Sequence, residues 1–128
     1  MYNFLKHICI HFHLSVLQIE NHPFIIQTGF VTDSEKTALI KHAHCLIMPS
    51  KFESLSLVLL ESFACKVPVI ANGNTEVLKD HILISEGGWC YYNYNTFQKC
   101  LKILLNNRTI AKQRGENGYK YVPHIDVH

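Results

Sequence analysis

The sequence predicts an α/β fold, a Rossmann-like three-layer domain built on a parallel sheet. Three observations carry that expectation. Short apolar runs rich in β-branched and aromatic residues alternate with stretches of helical period. The runs are continuously apolar, as strands buried on both faces must be. The chain has 128 residues, 48% hydrophobic and 17% charged, which is material for one packed core and no more.

The elements follow in order. Ile8 to Leu17 is apolar but interrupted by His11 and His13. It lacks a small-residue cleavage site and is too short to cross a bilayer, so it reads as a strand or buried segment, with no transmembrane segment or signal peptide. Phe24 to Val31 reads as a buried strand, and Thr32 or Asp33 then caps a helix. Ala38, Leu39, Ile40 and Ala43 give that helix its apolar face, with Lys36 and Lys41 outside. Cys45 to Met48 is a strand stopped by Pro49-Ser50. Leu57 to Cys65 is a helix that is apolar almost all round. Val67 to Ala71 is a strand ended by the Asn72-Gly73-Asn74 turn. Ile82 to Ser85 reads as a weaker strand, and Gly87-Gly88 opens a last one, Trp89 to Tyr92. Helices over Thr96–Leu105 and Thr109–Tyr121 finish the chain, the second weakened by Gly115 and Gly118. In open parallel sheets ligands bind at the carboxyl ends of the strands, so the segments after Met48 and Ala71 are the places to look for a site.

Charge and cysteine usage exclude several classes. Twelve basic residues against ten acidic ones give +2, which argues against a broad nucleic-acid surface. The five Cys are scattered and none forms a CxxC, so neither a disulfide framework nor a zinc knuckle is expected, and a reducing cytoplasm is the default. His11-x-His13 and His42-x-His44 lack a third ligand by spacing, so no metal is expected. Cys65 reads as a core thiol. Trp89, Tyr91, Tyr92 and Tyr94 are aromatic enough to stack on a base, although a terminal strand more often uses such residues as core. Lys99, Lys102 and Arg108 read as a solvated helix face.

The segment after the second strand carries the chemistry. It holds Glu53 in a strand-to-helix loop and Glu61 inside the following helix, separated by seven residues. Ser54 or Ser56 can cap that helix, whose free N–H groups favour a phosphate. Glu61 lies among Leu57, Val58, Leu59, Leu60, Phe63 and Ala64. A carboxylate there is costly unless it receives hydrogen bonds, and a vicinal diol such as that of ribose supplies two donors. The alternative is a Glu on the one exposed stripe of the helix, and periodicity does not separate the two.

Glu-x7-Glu after a Pro-Ser that ends a strand, followed by Glu61-Ser-Phe-Ala-Cys-Lys-Val-Pro-Val-Ile-Ala71, resembles the C-terminal nucleotide-binding half of the GT-B, family 4 ("group 1") retaining glycosyltransferases. Gly29-Phe-Val-Thr-Asp33, Asn72-Gly-Asn-Thr-Glu-Val77, Gly87-Gly-Trp-Cys-Tyr-Tyr92 and Arg114-Gly-Glu-Asn-Gly-Tyr-Lys-Tyr-Val122 extend the resemblance. It implies a nucleotide-diphosphate-sugar donor, hexosyl transfer with anomeric retention, and no metal or other cofactor. By position it assigns Glu53 to the donor sugar near the reacting carbon and Glu61 to the ribose hydroxyls. It puts the amides of Ser54, Leu55 and Ser56 by the sugar and diphosphate, and has Asn72, Gly73, Asn74 and Glu76 border the sugar–diphosphate. It leaves residues 1–22 unassigned, gives the nucleotide-sugar-binding domain residues 23–122 and leaves 123–128 as a tail. The family's acceptor-binding domain, and its Arg and Lys that neutralise the diphosphate, are not recognisable. The expectation is therefore an incomplete glycosyltransferase needing a partner chain that supplies the acceptor domain, or a homo-oligomer. The competing expectation is a non-catalytic remnant or split half that binds a nucleotide or a partner.

Overall fold

A computed structural model describes residues 7–10, 26 and 28–124. They form an α/β domain around a four-stranded sheet in the order β1(His7–Ile10), β2(Ala43–Met48), β3(Val69–Asn72), β4(Gly88–Tyr91), every neighbouring pair parallel. Helices α1(Asp33–Lys41), α2(Leu57–Ala64) and α3(Glu76–Ser85) precede β2, β3 and β4, and α4(Tyr94–Asn106), α5(Arg108–Tyr121) and a 3-10 turn, Val122–His124, close the described chain.

Both faces of the sheet are buried, and the period of two along each strand divides the core. Leu46, Met48, Val69 and Ala71 pack with Leu59, Leu60 and Phe63 of α2 and Leu78 and Ile82 of α3. Cys45, Ile47 and Ile70 point the other way and pack with Cys100 and Leu104 of α4. This is the three-layer arrangement that continuously apolar strands require. The register pairs Leu46 with Val69 and Val69 with Gly88. A Cβ on Gly88 would lie 1.8 Å from the carbonyl oxygen of Val69, so only glycine fits there. Gly118 and Gly87 similarly clasp the buried Phe63 ring, which a Cβ on either would overlap at 2.4 Å and 2.6 Å.

Thr32 caps α1 with a full capping box to Glu35, and Ile40 is the residue α1 buries; Ala38 is exposed and Ala43 belongs to β2. Two expected strands are not seen among the described residues. Residues 28–32 are irregular, and Ile26 and Phe30 are 86% and 106% exposed. Gly29 adopts a left-handed φ of 65°, which breaks an extended ladder. Phe24, Ile25 and Gln27 lie outside the described residues. Ile82–Ser85 is the second half of α3, not a strand. Its buried positions Leu78, Ile82 and Ser85 recur at helical spacing, while Leu83 and Ile84 face outward. Of the N-terminal apolar stretch, Ile8 to Ile10 belong to β1 beside β2, and His11 to Leu17 lie outside the described residues.

Candidate functional site

The loops leaving β2 and β3 meet at the carboxyl end of the sheet. The Thr75 hydroxyl donates to the Ser50 carbonyl at 2.6 Å, and the Asn72 amide side chain donates to the Pro49 carbonyl at 3.3 Å. Asn72 Oδ1 accepts from the Asn74 backbone at 3.0 Å, an Asx turn, and Asn74 Nδ2 donates to the Tyr92 carbonyl at 3.4 Å. The turn after β3 is thus tied to the loops after both neighbouring strands. Gly73 makes this closure possible, since a Cβ there would lie 2.5 Å from the Tyr92 ring. Between the two loops lies an open crevice of about 660 Å³, lined by Lys51, Phe52, Glu53, Ser54, Asn74, Thr75, Glu76 and Val77.

Hydrogen-bonding capacity is left unmet around this crevice. Helices α1, α4 and α5 each begin with a side-chain cap from Thr32, Asn93 and Asn107. The two helices that begin at the crevice have none: Ser56 precedes α2 in a left-handed conformation, and Thr75 precedes α3 with its hydroxyl committed to Ser50. Their first-turn N–H groups therefore lack the side-chain acceptor the other helices have. Among the described residues, two buried serine hydroxyls, Ser50 Oγ and Ser56 Oγ, make no hydrogen bond; Glu61 Oε2 makes none either but has the Lys36 ammonium 3.1 Å away. Both serines fall in the loop that follows β2. Unsatisfied buried groups are uncommon, and a cluster of them marks a place where something else binds.

The sequence-derived residues divide as follows. Glu53, Ser54, Asn74 and Glu76 line the crevice together. Asn72 and Gly73 shape its wall. The expected serine cap of α2 does not form: Ser54 is exposed, and Ser56, buried, holds a φ of 63° with no side-chain bond to the helix. Leu55 presents its carbonyl to His81 Nε2 at 3.1 Å, while His81 Nδ1 lies 2.8 Å from the Tyr121 hydroxyl. The Leu55 carbonyl can only accept, so Nε2 carries the proton. Glu61 is not among the crevice-lining residues. It faces α1, with Lys36 Nζ at 3.2 Å from Oε1 and 3.1 Å from Oε2. Its side chain is 40% exposed, so it is neither sealed in the core nor pointing into open water. Lys36, expected outside, is half-buried by this pair. Lys36, Thr75, His81 and Tyr92 carry no signal in the linear sequence, because each matters through a partner 18 to 40 residues away. The sequence does not single out Lys51 either; it is the cation among the described residues that line the crevice.

Other candidates fall away from the crevice. Burial pushes the thiols of Cys9 and Cys45 up to about 11 and about 12 and raises those of Cys65, Cys90 and Cys100. None is thereby a thiolate nucleophile near neutrality. Trp89 and Tyr91 pack in the second core cluster, whereas Tyr92 and Tyr94 are exposed. Lys99, Lys102 and Arg108 are exposed. Among the described residues no three His, Cys, Asp or Glu side chains converge, and no helix is long and apolar enough to cross a membrane.

The sequence matches the family described as Glycosyl transferases group 1 over residues 12–121. It is also similar to an uncharacterized glycosyltransferase of Methanocaldococcus jannaschii, with 30% identity over 92 residues, 68% of this chain and 25% of that protein. The chain thus spans about a quarter of the length of the relative it matches. No solved structure matches it.

Proposed function

The chain belongs to the group 1 glycosyl transferase family, and on that premise we propose that its crevice binds the nucleotide-diphosphate-sugar donor of a retaining hexosyl transfer, in the manner of a GT-B C-terminal domain. The unmet hydrogen bonding at the carboxyl end of the sheet carries this reading. Two uncapped helix starts offer backbone N–H groups and positive dipole ends to a diphosphate. Such a site stabilises the leaving diphosphate without a metal. Glu53 stands beside it for the donor sugar, Asn74 and Glu76 border the diphosphate, and Lys51 supplies the local cation. Glu61, ion-paired to Lys36 and with its side chain 40% exposed, keeps acceptor capacity for a ribose hydroxyl.

Donor binding needs one such domain, whereas transfer needs an acceptor held against the crevice. The acceptor-binding part comes from further polypeptide, in the same protein or a partner. All five cysteines stand as free thiols, which fits a reducing compartment such as the cytoplasm. Calorimetry with UDP, GDP and ADP tests the reading: one of them should bind, and Asn74→Ala should weaken it. No heat from any of the three at millimolar concentration would leave the domain without its proposed ligand.

A further inference from the structure

The opposite end of the sheet holds a second cleft, of about 610 Å³, where the strands begin. Its floor is Ala43, Val67, Pro68, Leu104 and Ala111, and its rim carries Lys41, Lys66, Arg108 and Lys112 against one carboxylate, Glu116. Four cations less one acid make +3, more than the +2 of the entire chain, so the rest of the molecule is slightly acidic. Glu116 is taken by Lys66 at 3.6 Å, which leaves no other acid among the described lining residues to face Lys41, Arg108 and Lys112.

The fold builds this convergence. Helix α5 crosses the turn after α2 at Gly115, where a Cβ would lie 2.2 Å from the Lys66 carbonyl oxygen. Arg108, Ala111 and Lys112 share the face of α5 that Gly115 defines, by their spacing of seven, four and three residues. Close packing at Gly115 therefore brings Arg108 and Lys112 to the Lys66 turn.

Ordinary helix electrostatics explain only part of the set. Lys41 and Lys66 lie at the carboxyl ends of α1 and α2, where cations are favoured. Arg108 opens α5, where a cation opposes the helix dipole, and the first turn of α5 has no acid. Lys66 also holds a left-handed φ of 61°, at a helix end where glycine is the easy choice. Its ammonium is held 4.7 Å above the Tyr119 ring, so the side chain is anchored at the cleft. A cation that opposes its own helix dipole, set beside Lys41 and Lys112 with the cleft's described acid already paired, points to a bound anion.

We propose that this cleft is a second ligand site, for a phosphate-bearing polyanion of about the size of a diphosphate. Its volume lies in the usual range for small-ligand sites, about 300–1,000 Å³. A net +3 matches two or three phosphate charges, and Arg108 offers the planar fork that grips them. None of its lining residues lines the donor crevice, so either site can fail without the other.

The test is a titration of the full chain with inorganic pyrophosphate, read by amide chemical shifts, in parallel with flotation on phosphatidylcholine vesicles with and without phosphatidylglycerol. Shifts should concentrate at Lys66, Arg108 and Lys112, and Arg108→Gln with Lys112→Gln should weaken binding roughly tenfold or more. Lys41→Gln with Lys112→Gln, both exposed positions, repeats the test should the first pair unfold. Pyrophosphate binding without flotation identifies a soluble phosphate compound. Flotation that needs phosphatidylglycerol, and that pyrophosphate competes away, identifies a lipid headgroup. Shifts confined to the Ser54 and Asn74 crevice, affinity indifferent to the charge removals, or no binding of either probe would overturn the proposal.

Discussion

Replacing Glu61 with Gln separates the two things this carboxylate could do. Its charge is matched by Lys36 at 3.1–3.2 Å, but the two side chains are 40% and 30% exposed. A pair so open to water contributes about 1 kcal/mol at most. Glu61→Gln should therefore lower the unfolding free energy by no more than that, a melting shift of about 3–5 °C at the upper bound. Lys36→Met should cost about the same, and the double substitution little more, because both remove one interaction. Donor affinity should behave differently. A carboxylate accepting from a vicinal diol makes charge-assisted hydrogen bonds worth about 1.5–3 kcal/mol, so Glu61→Gln should weaken a nucleoside diphosphate roughly 10- to 150-fold. Lys36→Met should leave that affinity within about threefold, since the ammonium is not the acceptor. Urea unfolding followed by far-UV circular dichroism gives the first quantity, and calorimetry gives the second. The 2′-deoxy nucleotide completes the cycle: it should bind the wild type less well than the ribonucleotide and the Gln variant equally. If Glu61→Gln alters stability but not affinity, the carboxylate serves Lys36 alone and the ribose assignment is wrong.

Three other outcomes follow from packing and ionisation. Gly118→Ala should destabilise by about 1–3 kcal/mol, because its Cβ would overlap the wholly buried Phe63 ring, and Phe63→Leu in the same chain should recover part of that loss in urea unfolding. Glu86 is an exposed residue closing α3 at a φ of 54°, so Glu86→Gly should raise the melting temperature, the relief of about 1–2 kcal/mol of left-handed strain exceeding the added chain entropy of about 0.5–1 kcal/mol. Burial lifts the Cys45 thiol from 9.0 to about 12, which favours the neutral form in the folded chain. That contribution is intact below pH 9 and is lost as pH rises from 9 towards 12, about 4 kcal/mol at full ionisation; Cys45→Ala should flatten the alkaline fall in stability that the wild type shows.

Much of this fold is legible in the sequence because its central strands are fully buried. Cys45–Met48 and Val67–Ala71 are unbroken apolar runs, and a run of that kind between helices has few other places to go. The same simplicity misleads at Ile82–Ser85. Four apolar or small residues contain no period of their own, and the helix they finish begins in polar sequence at Glu76, so the 78, 82, 85 spacing emerges only when both halves are taken together. Gly29–Val31, from the end of the expected Phe24–Val31 strand, is irregular for a different reason, since the left-handed backbone of Gly29 is a tertiary choice that composition does not reveal. At the site, the segments after Met48 and Ala71 could be picked out because they follow strands, while Glu53, Ser54, Asn74 and Glu76 are assigned roles by the family resemblance. That Ser56 would be a helix start without a cap, that Thr75 would spend its hydroxyl on Ser50, and that Lys36 would answer Glu61 all depend on loops brought together by the sheet.

The proposed donor crevice lies at the carboxyl ends of β2 and β3. Its most direct test is an amide chemical-shift titration of the chain with nucleoside diphosphates. Perturbations should gather at Ser54, Leu55, Asn74, Thr75 and Glu76 and saturate with a single affinity. Shifts scattered over the surface, or none in those five amides while another region responds, would contradict it.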